Sequence, residues 1–105
     1  MNKEAIRLKN KYPERVPVIA CKHKDFLLSD KEDKQKYLVP MDITIGQFIF
    51  IIRRKIRLNE NKALFLFFND NTSVSNTLTI NECYNIHKNK DGFLYCTYSS
   101  ENTFG

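Results

Sequence analysis

From Thr44 to Ile56 the chain carries the pattern that leaves least freedom in how it folds. Ile45, Phe48, Ile49, Ile52 and Ile56 recur at offsets of three, four, seven and eleven residues, which puts them on one face of a helix with a 3.6-residue period. Thr44 and Gln47 stand at capping-box spacing. The hydroxyl accepts an N–H of the first turn while the glutamine side chain reaches back to the threonine N–H. At the other end Arg53, Arg54, Lys55 and Arg57 crowd where the helix dipole is negative. Ahead of the helix, Tyr37, Leu38 and Val39 are β-prone. Pro40, which cannot donate to a ladder, ends that strand or marks it as a sheet edge.

The rest of the chain reads as alternating short elements. Residues 3–11 suit a helix with Ala5 and Leu8 inward and Ile6 less well placed, stopped by Pro13 acting on Tyr12. Residues 16–21 form a β-branched strand, and Pro17 near its start implies a missing ladder bond on one side. The polar stretch 22–35 is expected to be a loop. After the turn at Asn59, Glu60 and Asn61, residues 63–68 are a continuous apolar run of strand length, as expected for burial on both faces. A loop over 69–76 leads to a second capping box, Thr79 with Glu82, and a helix carrying Leu78, Ile80, Cys83, Tyr84 and Ile86. Asp91 and Gly92 turn the chain into a last strand over 93–98, followed by a polar tail over 99–105. Mixed elements around a four-stranded sheet place the chain in the α+β class.

Length and composition narrow the functional classes. A chain of 105 residues is expected to be one domain burying roughly 65% of its unfolded surface. Three cysteines, Cys21, Cys83 and Cys96, are odd in number and lack Cys-x-x-Cys spacing, which suits a reducing compartment better than a disulfide framework. The N-terminus has no signal-peptide apolar core, and the uncharged stretch 43–52 falls well short of the ~20 apolar residues of a membrane span. A soluble, cytoplasmic protein is expected. The net charge is +5, and residues 1–24 hold seven Lys and Arg against Glu4 and Glu14, so the surplus sits in the N-terminal arm. Such an arm suits an acidic partner or an anionic surface.

Catalysis finds little support. Cys83 with His87 and Cys21 with His23 are the nucleophile–base pairs to consider, yet neither has a third group around it, and Cys83 falls on the core face of its helix. The scattered Cys and His residues are poor zinc ligands. No catalytic residue, metal or cofactor is expected. The alternative class is a small basic nucleic-acid-binding domain, invited by the basic arm and by Phe93 and Tyr95 on a strand. Against it, Phe65, Phe67 and Phe68 lie in an uncharged run that suits a core better than a stacking platform.

A third class is a peptide-binding module. An edge strand accepts an extended peptide through main-chain hydrogen bonds while pockets read its side chains. Alternation puts Lys36 and Leu38 on one face and Tyr37 and Val39 on the other. Peptide residues three apart then reach opposite faces, one meeting Leu38 and the N-terminal helix, the other Val39, Phe48 and the central helix.

These residues resemble the autophagy-related protein eight family, the GABARAP-like ubiquitin-like modifiers. The matching pieces are Lys11-Tyr-Pro-Glu-Arg-Val-Pro-Val-Ile19, Lys36-Tyr-Leu-Val-Pro40, Gly46-Gln-Phe48, Ile52-Arg-Arg-Lys-Ile56, Ala63-Leu-Phe65, Asp91-Gly-Phe-Leu-Tyr95, Tyr98-Ser99 and Glu101-Asn-Thr-Phe-Gly105, in the family's order. The resemblance implies a ubiquitin-like β-grasp core over 13–98, a short N-terminal helical arm over 1–12 and a flexible conjugation tail over 99–105. It implies that Gly105 is joined to phosphatidylethanolamine on autophagosomal membranes by activating and conjugating enzymes, with a cysteine protease for processing and delipidation. Receptors of the family carry an aromatic-x-x-aliphatic motif. By position, Leu8, Pro17, Lys36, Leu38 and Phe93 correspond to the aromatic pocket, and Tyr37, Val39, Pro40, Ile43, Phe48 and Ile51 to the aliphatic one. Arg15 lies near the groove and, with Lys36, suits acids beside the motif. No nucleic acid is expected. Three departures stand out: the arm is shorter by about a helix, residues 69–77 lack the family's usual prolines, and nothing follows Gly105.

Overall fold

Pairing of the two proline-bearing strands builds one half of the sheet. A computed structural model describes residues 2–24, 26, 34–69 and 72–100. The elements are α1 (Lys3–Lys11), β1 (Arg15–Lys22), β2 (Lys34–Pro40), α2 (Ile45–Ile56), β3 (Phe65–Phe67), α3 (Ile80–His87) and β4 (Leu94–Ser99). The sheet order is β2-β1-β4-β3, with β1 antiparallel to β2, parallel to β4, and β3 antiparallel to β4. Pro17 pairs with Leu38 one residue ahead of the point where β4 joins at Val18↔Leu94, so its missing N–H costs the β1–β4 ladder nothing.

Strand alternation sorts β1 onto two layers. Val16, Val18 and Ala20 join the main core with Ile45, Phe48, Ile52 and Ile56 of α2, while Ile19 packs with Ala5 and Phe93 under α1. Burying each large α2 side chain stabilises the fold by about 1.5–3 kcal/mol. The capping box of α2 is complete: Gln47 N–H donates to the Thr44 hydroxyl at 3.1 Å and Thr44 N–H to the Gln47 carbonyl oxygen at 2.8 Å. Thr79 and Glu82 repeat it at α3, both at 3.1 Å.

The two capped starts are also bonded to each other's lead-in segments. Ile45 N–H donates to Leu78 O and Ile80 N–H to Ile43 O, both at 2.8 Å. Gly46 N–H donates to Asn76 O and Asn81 N–H to Met41 O, both at 3.0 Å. Four helix-end donors that lack intrahelical acceptors are thereby satisfied inside the protein.

Four sequence-based expectations change. The apolar run 63–68 contributes only three residues to β3, because the register Phe65↔Ser99 exhausts β4 at its last residue and Phe68 turns back to bridge Thr72. Leu64 and Phe68 are buried all the same, and Ala63 is exposed. The loop expected over 22–35 loses Lys22 to β1 and Lys34 and Gln35 to β2. Within it Phe26 is a core residue, its ring edge-on to Tyr98 at 6.0 Å. Ile86, counted on the apolar face of α3, is 66% exposed. Ser99, placed in the tail, is buried and paired in β4, while 101–105 lie outside the described residues.

Thr44→Ala removes the hydroxyl acceptor and is expected to cost about 1 kcal/mol, a fall in Tm of roughly 4–8 °C in a domain of this size. Differential scanning calorimetry of the two proteins measures it.

Candidate functional site

The direction in which β2 points its backbone follows from register. Met41 N–H donates to Glu14 O at 3.0 Å, which makes that pair a hydrogen-bonded one and continues the series Arg15↔Pro40, Val16↔Val39, Pro17↔Leu38. Bonded and non-bonded pairs alternate along an antiparallel ladder. Val16/Val39 and Val18/Tyr37 are therefore bonded pairs, and Pro17/Leu38 and Ile19/Lys36 are not. Lys36 and Leu38 thus turn N–H and C=O away from β1, toward an edge on which no described strand lies.

On one face of that edge, α1 and the 91–93 turn build a hollow. Asn2 caps α1 by accepting Glu4 N–H at 2.7 Å, and its own N–H donates to Asp91 O at 2.9 Å. Asp91 Oδ1 accepts Phe93 N–H at 2.9 Å, and the Tyr84 hydroxyl donates to Gly92 O at 2.8 Å. Gly92 sits at φ 95°, where a side chain would be strained. Tyr95 donates its hydroxyl to the second Asp91 oxygen, and this bond, with burial, pushes its pKa up to about 12. The corner seats Phe93 beneath α1. Above it lies a hollow of about 270 Å³ lined by Glu4, Leu8, Lys36, Tyr37, Leu38 and Phe93. Phe93 is buried at its base and Leu8 and Leu38 are half-buried walls, while Pro17, paired with Leu38 across the ladder, is buried and does not line the hollow.

On the opposite face, Tyr37 meets Phe48 edge-on at 5.5 Å, and burial is the main cause that pushes the Tyr37 pKa up to about 12. Val39 and Phe48 are buried at 3% and 0% exposure, so they are floor rather than walls. Half-buried Pro40 and Ile43 and the 40%-exposed Ile51 are the reachable surface. Of the sequence-predicted residues, Leu8, Lys36, Tyr37, Leu38 and Phe93 meet at the hollow, and Tyr37, Val39, Ile43 and Phe48 meet in the main core. Arg15 stands at the end of the edge, with its guanidinium donating to Leu38 O at 3.1 Å.

Glu4 was not among the predicted residues, yet it lines the first hollow and binds Lys36 Nζ through both oxygens at 2.8 and 2.9 Å. Its signal in the sequence is its place four residues before Leu8, which sets both on one face of α1.

The cysteines have the environment of packing residues. Burial alone pushes the Cys83 thiol up to about 12 and is the leading cause that raises Cys96 and Cys21, which disfavours the thiolate a nucleophile needs. The His87 ring stacks on Phe68 at 5.9 Å. Among the described residues no group of three or more His, Cys, Asp or Glu could hold a metal. Of the two aromatic residues that invited a nucleic-acid reading, Phe93 is buried and Tyr95 is half-buried, and Phe67 and Phe68 of the run that weighed against it are buried.

A four-stranded mixed sheet crossed on one side by a capped helix, with a second helix closing its end, is the ubiquitin-like β-grasp fold, here with α1 added to the other face. Comparison with known proteins identifies the family. The family model described as "Autophagy protein Atg8 ubiquitin like" matches residues 1–105. Autophagy-related protein 8b of Arabidopsis thaliana is 50% identical over 102 residues, covering 97% of this chain and 82% of the relative. Autophagy-related protein 8 of Mycosarcoma maydis is 47% identical over 102 residues, covering 97% and 85%. The crystal structure of Trypanosoma brucei ATG8 superposes with a TM-score of 0.85 at 34% identity over 97% of this chain and 86% of that one. This chain belongs to the Atg8 family of ubiquitin-like autophagy proteins, a family of modifiers and adaptors rather than enzymes.

The division into floor and wall is measurable. Phe48→Ala is expected to destabilise the fold by about 3–5 kcal/mol, whereas Ile51→Ala stays within about 0.5 kcal/mol of the parent. Urea unfolding of both variants reads the difference.

Proposed function

We propose that this protein is a lipid-conjugated modifier of autophagy that recruits receptors bearing an aromatic-x-x-aliphatic motif by adding their strand to β2. The observation that carries this reading is the edge itself. Lys36 and Leu38 offer outward backbone groups between a hollow under α1 and an apolar surface beside α2. In a strand added there, residues three apart point to opposite faces. The aromatic residue enters the hollow of Leu8, Lys36, Leu38 and Phe93, with Pro17 paired to Leu38 on the neighbouring strand. The aliphatic one settles on Tyr37, Pro40, Ile43 and Ile51 over Val39 and Phe48. Arg15 and Lys36 favour acids beside the motif.

Conjugation belongs to the same reading. The Gly105 carboxylate is activated as an adenylate, passed to an enzyme cysteine as a thioester, and transferred to the amine of phosphatidylethanolamine. Glycine suits the task because a tail without a Cβ enters narrow enzyme channels. The catalytic cysteines belong to the activating and conjugating enzymes, and a cysteine protease handles processing and delipidation. The body over 13–98, with Leu8 of the arm, carries recognition, and the tail beyond β4 carries attachment. Among the described residues no helix is long and apolar enough to cross a membrane. Residence on the autophagosome then comes from the lipid, with the unconjugated form in the cytoplasm.

Two experiments test the two halves separately. Incubation with activating and conjugating enzymes, ATP and phosphatidylethanolamine liposomes should give a lipid-mass adduct by mass spectrometry, lost in Gly105→Ala; an adduct that survives that substitution removes Gly105 from its role. In calorimetric titration with a motif peptide, Leu38→Ala combined with Ile51→Ala should weaken binding at least tenfold and leave conjugation intact. Unchanged peptide affinity would discredit the groove.

A further inference from the structure

The flank of α2 turned away from the candidate groove carries an aromatic ring among arginines. With the buried Ile45, Phe48, Ile52 and Ile56 as the inward direction and a turn of about 100° per residue, Ile51 falls on one side of the helix and Phe50, Arg53, Arg54 and Arg57 on the other. Phe50 is 59% exposed, and the Arg54 guanidinium lies 5.9 Å from the centre of its ring. With Leu58 and Glu60 these residues line a hollow of about 320 Å³. Arg53 is committed to the fold, donating to Lys62 O at 2.7 Å and Asn59 O at 3.2 Å. Arg54 and Arg57 are exposed. Arg57 caps the helix at φ 56°, the one non-glycine residue of positive φ among the described residues, where glycine is the usual cap. The patch also stands at the end of the molecule from which the tail departs. Arg53 ties the last turn of α2 to the 59–62 turn that leads into β3, and Phe65 at the start of β3 pairs with Ser99 at the end of β4.

Resting on the lipid-conjugation reading above, we propose that this flank of α2 lies on an anionic membrane surface once the chain is tethered there. Phe50 enters between the head groups, and Arg54 and Arg57 face lipid phosphates and carboxylates. Reach is what selects this occupant: positions 101–105 span at most about 18 Å when fully extended, so a lipid on Gly105 keeps the bilayer close to this end of the molecule. A tether makes the second contact intramolecular, and a patch too weak to bind by itself then suffices. Its chemistry fits the surface. An amphipathic ring sits well at head-group level, basic side chains are drawn to anionic lipid, and three arginines outnumber the single acid, Glu60. Arg57 supports the assignment, because its side chain is kept at a position where the backbone favours glycine. In the sheet order β2-β1-β4-β3 the open edge lies on the side opposite β3. A bilayer held against Phe50 therefore leaves that edge free, and the conjugated protein holds membrane and receptor together.

The chain has no tryptophan, so Phe50→Trp supplies a single reporter at the patch. The test uses the full chain with that substitution, extended by a hexahistidine tail after Gly105 and anchored to vesicles through a nickel-chelating lipid, which makes it independent of the conjugating enzymes. One set of vesicles is otherwise phosphatidylcholine alone, the other equal parts phosphatidylcholine and phosphatidylserine. On the phosphatidylserine vesicles the emission should shift to the blue and acrylamide quenching should be lost, and both effects should fade as salt is raised. On phosphatidylcholine the reporter should stay as in free solution. Adding Arg54→Gln with Arg57→Gly should abolish the response, while Arg57→Gly alone melts no lower than its parent, because it removes the side chain from a left-handed position; a lost response is then not a lost fold. An anchored reporter that gives no shift on phosphatidylserine, or one equal on both vesicles or indifferent to the two arginines, overturns the inference. So does arginine-dependent binding of a single-stranded RNA by a chain silent on vesicles, which would make the patch a nucleic-acid surface. A response on vesicles without a lipid adduct in the enzyme assay supports this face and overturns the conjugation reading alone.

Discussion

Everything at the open edge depends on a clamp between two helix starts. Thr44 and Thr79 are each the N-cap of a helix, they bridge each other, and four backbone bonds join the segments leading into α2 and α3. A helix start exposes N–H groups that have no acceptor within the helix. Here the acceptors are the carbonyls of Met41, Ile43, Asn76 and Leu78. Met41 and Ile43 lie directly between β2 and α2, so the bonds that complete α3 also hold the end of the edge strand and the angle at which α2 crosses the sheet. Ile43 and Pro40 take their positions at the candidate groove from this arrangement.

The sheet keeps its proline residues where they cost little. Pro17 precedes the β1–β4 ladder, and Pro40 is the last residue of an edge strand. Both fall in non-bonded pairs of the β1–β2 ladder, the positions at which a missing N–H faces away from the partner strand. The same alternation gives Lys36 and Leu38 their outward backbone. One register therefore accounts for the tolerance of both prolines and for the availability of the edge, and a slip of one residue would reverse both at once.

Burial divides the groove in a way that bears on how it works. Its floors, Phe48, Val39 and Phe93, belong to the two hydrophobic layers that hold the fold together, while Leu8, Leu38, Ile43 and Ile51 are partly exposed. Binding and stability share the floor residues and separate at the walls. Part of the basic arm is engaged locally: Arg15 and Lys9 close the corner between α1, β1 and β2, and Glu4 of the arm pairs with Lys36 of β2.

Periodicity and capping chemistry determined α2, α3, the inward face of α1 and the presence of β1, because those signals are local: a helix face, a threonine with its glutamine or glutamate, a β-branched run. They also determined which residues of β2 share a face, since alternation needs no partner. Only the tertiary structure decided where pairing stops and what is covered. The apolar run 63–68 makes a three-residue strand because β4 ends, Phe26 joins the core from a polar stretch, and Glu4 reaches Lys36 across thirty-two positions of sequence. Strand length and side-chain partnership depend on what lies opposite in space, and no window of neighbouring residues contains that information.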